Sequence, residues 1–308
     1  MINRFLKSDF IKSSFTVFAG TLIAQIIGFA VLPITSRLYS ENAFGMLSLI
    51  VSIATVVSSV GTLKYEQSIL LPRSSLQALL LTKVSLLLSL ILGVLSLFFI
   101  TLFSSQLTTL LGEPAVEPYL FIIPVLFFFN CFTTVNKNYG IRQKKFKLMS
   151  IIDVLKALIG GGGQIIFGLF KPITLGLLSG PILSSMSANF FLFKKLGVSS
   201  FKEIFNIKKE IRLIKLLLKR YKNFPLYNVP ATIANNLVLH GQNIFIFGLF
   251  SAEDLGQLSM AQKLLAIPTV LIGSSIANVL LNKLKEDKLE INSLENSFKN
   301  SFLILLLC

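Results

Sequence analysis

The chain has 308 residues, 53% hydrophobic and only 14% charged, with a mean hydropathy of +0.76 and a net charge of +15. A soluble domain carries about 25% charged residues. This chain therefore has too little charge to coat a water-exposed globule of its length, and it reads as an all-α polytopic membrane protein. Cys131 and Cys308 both fall in apolar runs, which leaves no basis for a disulfide framework or a cysteine metal site.

Runs of about 20 apolar residues can each cross a hydrocarbon core about 30 Å thick. They recur at 13–36, 44–71, 79–104, 116–136, 149–169, 172–193, 225–250 and 256–282. They predict eight complete transmembrane helices. A ninth run begins near Ser301 and stops at Cys308, so the sequence is expected to break off inside a span. The residues before the first run are polar and basic. That run is too long for the apolar stretch of a signal peptide, so it is expected to stay as an anchor. With no tryptophan in the chain, an interfacial belt has to be made of Tyr and Phe.

The spans carry polar residues, which are costly in a bilayer and usually face protein or a wet cavity. In span one Thr21, Gln25 and Gly28 share a face, with Pro33 further along. Near the inner end of span two stand Lys64 and Glu66, close enough to the interface to snorkel. In span five Asp153 and Lys156 are three apart and are expected to neutralise one another. Gly160-Gly-Gly-Gly163 follows, either a hinge or a site of close helix packing, since each glycine weakens a helix by roughly 1 kcal/mol. Gly176, Gly180, Ser184 and Ala188 recur every fourth residue in span six, a small-residue packing face. In span seven Asn236, His240 and Asn243 share a face, flanked by Asn235 and Gln242. Lys263 stands one turn inside span eight beside Gln262, with no acidic residue within four positions. The stripes of spans one and seven read as the lining of a cavity, or else as hydrogen bonds that join helices.

Lysine and arginine alternate in position along the chain. The basic segments are the N-terminus (Arg4, Lys7, Lys12), 72–83, 137–147, 194–222 and the link beginning at Lys283, while the intervening links hold only Arg37 and Lys171. This is the positive-inside pattern, and it predicts a cytoplasmic N-terminus. It also accounts for the basicity without nucleic acid. In 194–222, Phe201, Ile204, Phe205, Ile207, Ile211, Ile214 and Leu218 recur at helical spacing between basic residues. That pattern predicts an amphipathic helix on the inner leaflet, contacting membrane lipids.

Arg37-Leu-Tyr-Ser-Glu-Asn-Ala-Phe-Gly-Met-Leu-Ser-Leu49 returns 211 positions later as Gly248-Leu-Phe-Ser-Ala-Glu-Asp-Leu-Gly-Gln-Leu-Ser-Met260. Leu38/Leu249, Ser40/Ser251, Gly45/Gly256, Leu47/Leu258 and Ser48/Ser259 are identical, and each copy lies between two apolar runs. A doubled membrane hairpin is how transporters with parallel repeats are built. The expected organisation is a six-helix lobe over 1–193, a basic amphipathic linker over 194–222, and the start of a second lobe over 223–308. No metal-ligand cluster, phosphate loop beside a strand or nucleophile–base pairing is visible, so neither enzyme activity nor a cofactor is expected.

Thr35-Ser-Arg-Leu-Tyr-Ser-Glu-Asn-Ala-Phe-Gly45, followed by Leu63-Lys-Tyr-Glu-Gln-Ser-Ile-Leu-Leu-Pro72, resembles bacterial polysaccharide flippases of the O-antigen type. These belong to the multidrug/oligosaccharidyl-lipid/polysaccharide exporter superfamily. Lys64 stands where the family pattern has Arg, and only Glu41 of its acidic pair is kept. The resemblance implies a two-lobed helical transporter whose bundles are related by a pseudo-twofold. It implies that an undecaprenyl-pyrophosphate-linked oligosaccharide is flipped across the bacterial inner membrane for O-antigen or capsular polysaccharide, beside polymerase and chain-length machinery. On that reading Lys263 and Lys64 bind pyrophosphate. Gln25, Asn236, His240 and Asn243 bind sugar hydroxyls, and Glu66 and Asp153 couple transport to an ion gradient. The alternatives are a drug or cation exporter of the same superfamily, a non-transporting scaffold of a polysaccharide-assembly complex, or a membrane-embedded glycosyltransferase or polymerase.

Overall fold

The computed structural model describes residues 2–196 and 210–265, with side chains from Thr16 onward. Phe201, Ile204, Phe205 and Ile207 of the linker, the later part of the 256–282 span and the run from Ser301 lie outside the described residues. Among those described, the chain is helical and contains no strand. The helices are α1 (Ile2–Leu38), α2 (Glu41–Ser58), α3 (Tyr65–Ser68), α4 (Ser75–Leu111), α5 (Glu117–Leu120), α6 (Ile122–Arg142), α7 (Phe146–Phe170), α8 (Thr174–Leu196), α9 (Ile211–Arg220) and α10 (Val229–Leu249). A further helix, α11, runs from 252 and is described to 265.

Six segments are long and apolar enough to cross a membrane: Thr16–Leu38, Glu41–Ser58, Ser75–Leu111, Pro114–Arg142, Phe146–Phe170 and Thr174–Leu196. They match the first six spans expected from sequence. α10 has 21 residues, which at 1.5 Å per residue is about 31 Å of helix. Its Asn, Gln and His residues make it less apolar than the six. The outer faces of α4 and α7 expose large apolar side chains, among them Val94, Phe98, Ile166 and Phe170. A helix that is apolar all round belongs in lipid.

The bundle is built on α2, α6 and α8, which pack against one another; α4 lies on α6, α7 on α8, and α1 on α7 rather than on α2. Small residues permit these approaches. A Cβ on Gly160 would meet the Gly180 carbonyl and the Ser184 side chain at 3.2 Å, one on Gly161 the Val31 side chain at 2.6 Å, and one on Gly163 the Leu183 side chain at 2.8 Å. The four glycines lie in an uninterrupted helix, so packing rather than a hinge accounts for Gly160, Gly161 and Gly163. Pro181 lies inside α8 and cannot donate to the Leu177 carbonyl. That carbonyl instead accepts from Gln164 Nε2 of α7 at 3.0 Å.

Span two ends sooner than expected. α2 stops at Ser58, not near residue 71. Beyond Ser58 the backbone passes from four-residue to three-residue bonds, Val60 N–H donating to the Val57 carbonyl at 3.3 Å, Gly61 N–H to that of Ser58 at 3.1 Å and Leu63 N–H to that of Val60 at 2.9 Å. Leu63 and Lys64 then adopt left-handed backbone, with φ of 49° and 61°, before the single turn of α3. Lys64 and Glu66 therefore sit on the turn between α2 and α4, not inside the second helix.

The repeated motif forms one contact twice. Ser40 caps α2 by accepting from the Ala43 N–H at 3.3 Å, and Ser251 caps α11 by accepting from the Asp254 N–H at 3.1 Å. The two N-termini cross so closely that a Cβ on Gly45 would fall 1.7 Å from the Ala252 carbonyl oxygen. One on Gly256 would fall 1.9 Å from the Glu41 carbonyl oxygen. Positions 45 and 256 are repeat partners, as are 41 and 252, so a local pseudo-twofold axis passes between the helices. Gln257 Nε2 adds a bond to Glu41 Oε2 at 2.6 Å. Gly45→Ala and Gly256→Ala are each expected to cost about 1–3 kcal/mol through overpacking, read as a lower unfolding midpoint of the detergent-solubilised protein. Gly162→Ala, where nothing lies within 4 Å of the added methyl, is expected to leave the midpoint unchanged or raise it.

Candidate substrate cavity

Two adjoining cavities run through the bundle, of about 520 Å³ and about 360 Å³, and share Thr55, Asn130 and Lys156 in their walls. The larger extends from Lys156 toward the end where α1 joins α2. Gln25, Thr35, Gln164, Ser184 and Lys263 give it polar groups between apolar walls. The smaller extends the opposite way, toward the turn between α6 and α7, and presents Lys64, Glu66, Lys137 and Asn236.

Two cations of the cavity walls stand deep in their helices, Lys156 in both cavities and Lys263 in the larger. Lys156 is ten residues beyond the start of α7 and Lys263 eleven beyond the start of α11, or about 15 and 17 Å along their axes. Lys263 Nζ lies 5.1 Å from the centroid of the Phe44 ring, a cation–π contact. Neither lysine has a carboxylate within ion-pair distance among the described residues. Glu66 is buried and accepts from the Thr62 hydroxyl, with Lys64 Nζ at 3.8 Å.

Asp153 is not paired with Lys156, as their spacing had suggested. It forms an ion pair and hydrogen bond with Lys137 of α6. α6 continues to Arg142, past the expected limit at residue 136, and so carries Lys137 into the bundle. Lys137, Lys156, Asn130 and Thr55 are lining residues that the sequence reading did not select. Asn130 Oδ1 accepts from Ser185 Oγ at 3.5 Å, which ties α6 to α8 where the two cavities join.

The polar stripe of span seven divides. Asn236 reaches the smaller cavity. Asn243 lines neither cavity: it is buried, and its Nδ2 donates to Ser52 Oγ at 2.9 Å and Ser48 Oγ at 3.4 Å. It joins α10 to α2, the hydrogen-bonding alternative for that stripe. His240 is half-buried and also lines neither cavity. Gln25 and Asn236 are 211 positions apart, so the repeat offset gives each cavity one amide. Thr21 and Thr232 share that offset, and each hydroxyl donates to the carbonyl four residues earlier.

Outside the spans, burial pushes the Tyr39 and Tyr65 phenols above their ordinary value, so both stay neutral donors. Tyr39 Oη donates to the Gln164 carbonyl at 2.7 Å and Tyr65 Oη to that of Leu218 at 3.3 Å. Arg142 closes the loop before α4 by donating to the carbonyls of Ile69, Leu70 and Ser74 at 3.2–3.3 Å.

Together the walls offer four lysines, of which Lys64 is paired with Glu66 and Lys137 with Asp153 while Lys156 and Lys263 have no carboxylate partner among the described residues, with amides and hydroxyls between them. In a low-dielectric surrounding, unneutralised cations attract an anion strongly, and the neutral polar groups match a hydroxyl-rich ligand. The helices and cavities define a multi-pass membrane protein with a polar, electropositive interior. The chain matches the polysaccharide biosynthesis protein family over residues 34–306. It belongs to that family, which gives it a role in polysaccharide synthesis or export. No curated protein and no solved structure matches the chain.

The pairing of Asp153 is measurable. In double-mutant cycles on unfolding, Asp153→Asn with Lys137→Met is expected to give a coupling of about 0.5–1 kcal/mol, as for a partly exposed ion pair. Asp153→Asn with Lys156→Met is expected to give a clearly smaller one.

Proposed function

We propose that this protein flips a lipid-linked oligosaccharide, an undecaprenyl-pyrophosphate repeat unit, from the inner to the outer leaflet of the bacterial inner membrane by alternating access. The observation that carries the reading is the convergence of Lys64, Lys137, Lys156 and Lys263 on adjoining cavities that also hold Gln25, Asn130 and Asn236. A pyrophosphate needs cationic partners where water is scarce, and sugars need amides and hydroxyls; the family membership is consistent with such a cargo. Of the residues expected to bind substrate, Lys263, Lys64, Gln25 and Asn236 keep that role in the proposal. His240 and Asn243 leave it, and Lys137, Lys156 and Asn130 enter. Glu66 and Asp153 keep their proposed part in coupling to an ion gradient; each is paired with a lysine, Glu66 with Lys64 and Asp153 with Lys137, and Glu66 lies in the cavity wall.

In this orientation the N-terminus and the turn bearing Lys64 face the cytoplasm, and the glycine contact of α2 and α11 lies at the outer side. A cation exporter of the same superfamily would need acidic cavity walls, which the four lysines do not provide. The proposed activity is transport rather than catalysis.

Cells lacking the gene are expected to accumulate lipid-linked repeat units on the inner leaflet. The full chain should relieve that accumulation, whereas Lys263→Ala and Lys64→Ala should each reduce relief at least tenfold with membrane insertion intact. Unimpaired relief by Lys263→Ala would remove that residue from the mechanism, and no accumulation in the deleted strain would end the flippase reading.

A further inference from the structure

The turn between α2 and α4 divides its side chains between two neighbours. Lys64 and Glu66 face the smaller cavity. Tyr65 and Gln67, between and beside them, reach elements more than 150 residues away in sequence. Tyr65 Oη donates to the Leu218 carbonyl of α9 at 3.3 Å. Gln67 Oε1 accepts from Nδ2 of Asn228, the residue before α10, at 2.9 Å. The Tyr65 ring is buried in one apolar cluster with Ile214 and Leu217 of α9 and Leu80 and Val84 of α4.

The backbone at this place is not self-supporting. Leu63 and Lys64 are consecutive non-glycine residues in the left-handed region, a conformation that persists only where surrounding structure holds it. Part of that hold comes from α9 and the start of α10, which connect the two repeats. The position of the Lys64 ammonium is therefore tied to the docking of the connector.

We propose that Tyr65 and Gln67 are positioning residues through which α9 and the start of α10 set where Lys64 and Glu66 stand in the cavity. When the connector shifts, the turn relaxes and Lys64 withdraws, so the cavity holds a phosphate-type anion only while the connector is docked. This rests on the reading of the cavity as an anion site.

The test uses the full chain in proteoliposomes, with Cys131→Ser and Cys308→Ser removing both native thiols. Thr134→Cys then places a reporter thiol in the smaller cavity wall, and inorganic pyrophosphate is the probe that protects it from a charged methanethiosulfonate. Tyr65→Phe and Gln67→Ala are each expected to raise the half-protecting concentration about tenfold, as should Lys64→Ala. Added to Lys64→Ala, Tyr65→Phe should change it less than twofold, because the tyrosine acts through the lysine. Equal weakening in both backgrounds would show a general structural role and overturn the proposal.

A second arm needs no anion. With Lys64→Cys as the sole thiol, adding Tyr65→Phe or Gln67→Ala is expected to change its rate of modification at least threefold. Unchanged rates in both variants overturn the positioning role. Absence of protection by pyrophosphate in the parent protein overturns the anion reading alone, and the second arm still decides the role of Tyr65 and Gln67.

Discussion

Two glycines let the N-termini of α2 and α11 touch backbone to backbone, and the rest of the site follows from that contact. Without a Cβ at Gly45 or Gly256, each helix lies directly on a carbonyl of the other. From there both helices run into the bundle in equivalent ways, and the seventh residue beyond each glycine, Ser52 and Lys263, occupies equivalent positions. Their neighbours on the preceding helices, Asn243 and Leu32, are also repeat partners. In one half Asn243 bonds to Ser52 and seals α10 to α2. In the other, Leu32 and Lys263 both line the larger cavity. The backbone is locally symmetric while the chemistry is not: one site is closed by hydrogen bonds and its counterpart carries a cation.

A lysine at mid-span is expensive unless something compensates it. Lys137 is compensated by Asp153, and Lys64 lies beside Glu66. Lys156 lines both cavities and Lys263 the larger one, and neither has such a partner among the described residues. The Phe44 ring offers Lys263 an attraction on the order of 1 kcal/mol, well short of replacing the hydration of an ammonium ion. Water or an anion in the cavity supplies the rest. The same requirement that makes these residues costly is what the proposed anionic cargo would meet.

The sequence displayed these features unequally. Hydropathy placed six spans because length and apolarity are summed over a whole helix. It overran the end of α2 because Val56, Val57, Val60 and Leu63 keep the average high, while the stop is made in the backbone, which passes to three-residue turns after Ser58 and to left-handed conformation at Leu63 and Lys64. The repeated Ser, Gly and Leu pattern was legible because capping and close backbone approach each demand particular residue types. Asp153 was misassigned because proximity along one helix is only one contender for a carboxylate. Lys137 on the packed neighbour wins, and chain spacing cannot show which helix lies alongside. Gln25, Asn236 and Asn243 all read as polar residues on apolar helices; packing alone decides which face a cavity and which a partner.

The cations are also unevenly shared between the halves. Lys64, Lys137 and Lys156 belong to the first repeat, and Lys263 is contributed by the second. An anion between Lys156 and Lys263 would therefore link the halves directly, adding to the hold of the glycine contact. A ligand shifts a conformational equilibrium only by its difference in affinity for the two states. With the uncompensated Lys156 on one half and Lys263 on the other, the affinity for an anion between them would depend on how far apart the two halves hold these lysines. On the proposed reading, such an anion would favour the arrangement that keeps Lys156 and Lys263 together, and its release would favour the other.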